Sequence, residues 1–139
     1  MLISKELEAA INAQIGREFG ASLQYVNIAT YFDSDSLPQL SAFFYRQAEE
    51  EKMHAMKFVH YIVDTGGVVH IPAVAGPKHD FKSAEEAVQA ALDWEMEVTR
   101  QINALMDLAI KQSDHIAQDF LARNPIVPDT TAGGAAPAA

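Results

Sequence analysis

The chain has 139 residues, a length that gives one domain with a real core and leaves two independent cores improbable. Hydrophobic residues make up 49% and charged residues 21%, which argues against a largely disordered chain, and ten Lys and Arg against nineteen Asp and Glu give a formal charge of -9 that repels nucleic acid and anionic lipid and attracts cations. There is no cysteine, so disulfides, thiolate metal sites, iron–sulfur clusters and Cys nucleophiles are excluded together, and any metal must be held by oxygen and nitrogen.

The N-terminus carries Lys5, Glu6 and Glu8 in place of an apolar signal region, and no later window approaches the roughly eighteen apolar residues of a membrane span, so a soluble cytoplasmic protein is expected. From about Ser4 to Phe32 the residues are helix formers, ending in the turn-rich run Asp33-Ser34-Asp35-Ser36. Ser36-Leu37-Pro38-Gln39 reads as a capping box with Pro in the first turn, opening a second helix that runs to Gly66-Gly67. The short loop between them predicts antiparallel neighbours. Gly67 to Lys82, with Pro72, Gly76 and Pro77, is too irregular for a helix and reads as a long crossover. Ser83-Ala84-Glu85-Glu86 is a second capping box and starts a third helix that lasts to about Gln112. His115 to Arg123 is a short helix, and residues 124–139 are expected to be a disordered Ala/Gly/Pro tail behind a helical domain at 1–123.

Alternating steps of three and four give the buried face of each long helix. The first face is Ile11, Ile15, Glu18, Ser22, Tyr25, Ala29 and Phe32; the second is Leu40, Phe44, Gln47, Glu51, His54, Phe58 and Tyr61; the third is Val88, Ala91, Glu95, Val98, Ile102, Leu105 and Ala109. Each carries one carboxylate and none carries Lys or Arg, and antiparallel packing brings the three carboxylates to a similar height. An unpaired core carboxylate costs several kcal/mol, so protonation, water or a cation must compensate. Glu51 and His54 form the Glu-x-x-His spacing by which carboxylate bundles hold di-iron or di-manganese centres, and hard oxygen ligands with one imidazole suit Fe, Mn or Zn.

The spacing alone is weak, because helices are rich in Glu; its register with two further core carboxylates gives it force. Glu49 and Glu50 read as a solvated acidic face, with Glu50 a candidate outer ligand. His60, His70, His79 and His115 lie off the stripes and read as surface residues. Tyr25 serves either packing or a hydrogen bond to a ligating carboxylate, and Trp94 and Met96 read as packing.

The segments Asn12 to Phe19, Ala21 to Tyr25, Gln47 to Met56, Glu95 to Thr99 and Ile102-Asn103 resemble the non-haem bacterial ferritins over about residues 1–121. The resemblance implies that Glu18 and His54 ligate a first iron, Glu51 bridges two, Glu95 ligates the second, Tyr25 stands beside the centre and Glu50 contributes to a third iron site. It implies oxidation of Fe(II) by dioxygen or peroxide and deposition of ferric mineral inside a 24-subunit shell. Lys52 stands where the haem-binding branch has a Met after the bridging Glu, so no haem is expected. After Phe120-Leu121 the family continues into a fourth long helix and often a fifth, whereas here only the short piece is present. The expected fold is therefore an all-α, ferritin-like up-down bundle with a long crossover, three long helices and a vestigial fourth. The groove so left open predicts at least a homodimer. The alternative reading is a non-catalytic helical protein that keeps this framework, dimerises, and binds metal weakly or not at all.

Overall fold

The structure is a computed structural model and describes residues 2–124; the tail expected from 124 onward lies, beyond that first residue, outside the described residues. Four helices and no strands are found among them: α1 (Lys5–Ser34), α2 (Pro38–Asp64), α3 (Ala84–Lys111) and α4 (His115–Arg123). Among the described residues no helix is long and apolar enough to cross a membrane.

Helix starts follow side-chain capping, in which an oxygen satisfies one of the orphan N–H groups of the first turn. Ser4 Oγ accepts from the Leu7 amide at 3.0 Å, Ser83 Oγ from Glu86 at 3.1 Å, and Asp114 Oδ1 from Ala117 at 2.9 Å. The capping box expected at Ser36 does not form. Ser36 takes a left-handed φ of 56° because it closes α1: its amide donates to Asp33 O, and the Leu37 amide donates to Phe32 O. A residue committed to that reversal cannot also cap the next helix, so α2 starts on Leu37 without a side-chain cap, and Pro38 has no N–H to satisfy. Gly66 (φ 81°) and Ser113 (φ 54°) end α2 and α3 with the same pair of reversed hydrogen bonds.

The chain forms two compact units, Met1–Leu92 and Asp93–Ala139, whose boundary falls inside α3. In the first, α1 and α2 make an antiparallel hairpin. Leu2 meets Thr65, Ser22 meets Ala48 and Asp33 meets Ser41, so residue numbers fall on α2 as they rise on α1. Ile11, Ile15, Ile28, Phe32, Phe58 and Ile62 are almost fully buried, and Phe44 lies between the rings of Tyr25 and Phe32, stacked at centroid distances of 5.9 and 5.5 Å. At the hairpin end, Asp33 accepts from Ser41 Oγ at 2.5 Å and Tyr45 Oη at 2.8 Å, which holds its carboxyl below the usual range.

The crossover runs along α1, in the direction of α1, as a strap. Its bed is a row of residues one helical turn apart: Glu8, Asn12, Gly16, Gly20 and Gln24. Glu8 Oε2 accepts from the Val68 amide at 3.0 Å. Asn12 clasps the backbone both ways, donating to Val68 O at 3.0 Å and accepting from the His70 amide at 2.7 Å. Gln24 does the same with Lys78, at 2.8 and 2.9 Å. Between the clasps Pro72 lies against Gly16 so closely that a Cβ there would stand 2.6 Å from its Cγ. The strap delivers Phe81 edge-on to Tyr31, 5.8 Å between centroids, and the chain enters α3. In the second unit the remainder of α3 buries Val98, Leu105 and Ala109, and α4 buries Ala117 and Leu121.

Candidate metal centre

The two stripes of the hairpin are buried as their periodicity predicts. On α1 all seven residues are buried except the half-buried Ser22, whose hydroxyl donates to Ala48 O at 2.7 Å. On α2, Phe44, Glu51, Phe58 and Tyr61 are buried, while Leu40, Gln47 and His54 are half-buried. Glu18 is 0% exposed and Glu51 3%. Near the midpoints of the antiparallel helices the two carboxyls meet, and His54 closes the group from one turn after Glu51. One donor atom from each of Glu18, Glu51 and His54 lies within 4.8 Å of the other two. His54 Nδ1 is 3.7 Å from Glu51 Oε2.

The electrostatics of the group are those of a carboxyl pair taken out of water. Burial is the largest force on Glu18, and the neighbouring Glu51 carboxyl adds to it by sharing a hydrogen bond and by charge; together they push Glu18 up to about 9. Two opposing influences are weaker: the hydrogen bond from Gln14 and the charge of His54. Gln14 Nε2 donates to Glu18 Oε2 at 2.7 Å, and Arg17 Nη1 donates to Gln14 Oε1 at 3.1 Å, which fixes the orientation of the amide. Glu18 Oε1 meets no N–H donor among the described residues. A cation placed among the three donors would satisfy that oxygen and replace the shared proton, so the donor set fits a metal ion of the Fe, Mn or Zn class.

Tyr25 is buried two turns beyond Glu18 with its ring on Phe44. Glu50 is exposed on α2 one helical turn before His54, lining a shallow depression with Tyr45, Arg46, Glu49 and Met53. Glu95 belongs to the second unit, where it is half-buried and its carbonyl accepts from Thr99 Oγ1 at 2.9 Å. His60, His70, His79 and His115 are all exposed. Met96 is 62% exposed, so the packing expected of it is not made among the described residues. Gln14 escaped the sequence reading, although an amide one turn before a stripe carboxylate is a signal that could have found it.

Among the described residues, four helices, a long crossover and two buried carboxylates facing one imidazole make a helical protein whose buried donor set suits a metal ion. The model of the ferritin-like domain matches residues 8–127, and the chain belongs to the ferritin family. It is 40% identical over 119 residues to ferritin BfrB of Mycolicibacterium smegmatis, covering 86% of this chain and 66% of that protein. It is 37% identical over 120 residues to the bacterial non-heme ferritin of Staphylococcus aureus, covering 86% and 72%. Among solved structures, an open pore ferritin from the hyperthermophilic archaeon Archaeoglobus fulgidus superposes with a TM-score of 0.84 at 33% identity, over 87% of this chain and 74% of that one. The chain spans just under two thirds of the mycobacterial relatives, 66% and, for BfrB of Mycobacterium tuberculosis, 64%.

Proposed function

We propose that this chain is an iron-storage subunit that oxidises Fe(II) at a carboxylate-bridged pair of iron sites and passes the Fe(III) to a mineral. The observation that carries the reading is the buried meeting of Glu18, Glu51 and His54 between two antiparallel helices. In this reading Glu18 and His54 hold one iron, Glu51 bridges, and Glu95, matched by family resemblance, holds the second. Two Fe(II) give one electron each to dioxygen, which takes up two protons and leaves as hydrogen peroxide; with peroxide as oxidant the same two electrons and two protons yield two waters. Proton-bearing Glu18 must ionise as iron enters, so uptake releases a proton. Tyr25 closes the site on the side of Phe44, and Glu50, exposed on α2, contributes to an outer iron site.

The working form is a cytoplasmic homo-oligomer whose helical domain spans 1–123. Leu92, Met96, Ile110 and Ile116, each about half or more exposed, supply apolar surface for contacts between copies. Haem has no part, because Lys52 stands where the haem-binding branch has Met. Anaerobic addition of Fe(II) followed by oxygen tests the reading. A ferric absorbance rise in the parent and its loss in Glu51→Ala are expected; equal oxidation by both would overturn it.

A further inference from the structure

We propose that Met53, Met56 and His60 form a second metal site, selective for a soft monovalent ion such as Cu(I), on the face of α2 that points away from the core. At 3.6 residues per turn these three fall within roughly 60° of arc, and the stripe lies roughly 120° around the helix from His54. Such a face is ordinarily polar. Here Met53 is 58% exposed, Met56 37%, and His60 is exposed as well, so none of the three is accounted for by the core of this chain.

The spacing suits convergence. Met53 and Met56 are at i and i+3, and Met56 and His60 at i and i+4, the two separations that make helical side chains neighbours, with Cβ atoms about 5–6 Å apart. Met has three rotatable bonds beyond Cα and reaches along the surface, so two thioethers and one imidazole can close on one ion beside Met56. The donor set is the reverse of the buried one: thioether sulfur selects Cu(I), whereas the carboxylates of Glu18 and Glu51 select harder ions. Lys52 and Lys57 flank the stripe and Glu49 lies one turn before Met53, so the local charges largely offset one another and selectivity rests on the thioether donors.

The test uses the full chain under anaerobic conditions, with Ag(I) as the redox-inert probe for methyl NMR and Cu(I) itself in competition against a chromophoric chelator. One equivalent of Ag(I) is expected to shift the methyl signals of Met53 and Met56 and to leave those of Met96 and Met106 in place. Met53→Leu/Met56→Leu, which conserves apolar volume and so preserves any contact between copies, should lower Cu(I) affinity at least tenfold. His60→Ala should weaken it too, and Glu51→Gln should leave it unchanged. Uniform shifts of all methionines, or undiminished Cu(I) binding by the double leucine variant, would overturn the site; loss of binding in Glu51→Gln would assign the ion to the buried group instead.

Discussion

Gln14 donates a 2.7 Å hydrogen bond from Nε2 to Oε2 of Glu18, one turn further along α1, with both side chains wholly enclosed. It is the one neutral donor that favours the ionised form of Glu18, the form a metal needs. A hydrogen bond to a charged group contributes about 1.5–3 kcal/mol, so Gln14→Leu is expected to weaken Zn(II) binding roughly ten- to a hundredfold at neutral pH. Calorimetric titration of parent and variant checks this, and equal affinities would remove Gln14 from the site.

Stability without metal should fall as pH rises. Glu18 holds its proton in the folded chain up to about 9, against an ordinary value of 4.5. Below about 4.5 both states are protonated; above it the unfolded chain ionises first and gains, so stability declines between the two values. Melting temperatures of metal-free protein should drop across that window, and Glu18→Gln should flatten the decline. An unchanged slope in the variant would mean that another group titrates.

Metal should reverse part of this cost, because an ion that binds only the folded chain stabilises it by mass action, about 2.7 kcal/mol at a hundred times Kd. Saturating Zn(II) is expected to raise the melting temperature of the parent and to do far less for Glu51→Ala, which loses the bridging position. The same shift in both proteins would place the stabilising ion elsewhere.

The strap discriminates between two glycines of α1. A Cβ on Gly16 would stand 2.6 Å from Pro72 Cγ, whereas one on Gly20 would meet Val74 Cγ1 at an ordinary 3.5 Å. Gly16→Ala is expected to destabilise by about 1–3 kcal/mol through overpacking. Gly20→Ala should be neutral or stabilise by up to about 1 kcal/mol, since alanine is the better helix former. Urea denaturation of the two variants measures both.

The helices were legible because Gly and Pro cluster between them, and the buried group was legible because Glu18, Glu51 and His54 interrupt apolar stripes at helical spacing. The strap's bed was not. Glu8, Asn12 and Gln24 look like surface residues, and Gly16 and Gly20 like helix blemishes, until partners 54 to 60 residues away in sequence are known. Ser36 misled for a related reason: the same small polar residue can open a helix or close one, and the reversal at the end of α1 claimed it first.

The strap and α1 also form a commensurate pair of rulers. Two extended residues advance about 6.5 Å and four helical ones about 6 Å, so strap positions 68, 70, 72 and 74 fall in step with successive turns at 8, 12, 16 and 20. An insertion of one residue between Val68 and Val74 would turn the inward side of the strap outward and misalign every later clasp; an insertion of two would slide it by one whole turn. Gly76, with open space around it, lies past the last of these marks. Length is thus quantised in steps of two from Val68 to Val74, and the slack for single residues lies between Val74 and Lys78, where Gln24 takes hold of the chain again.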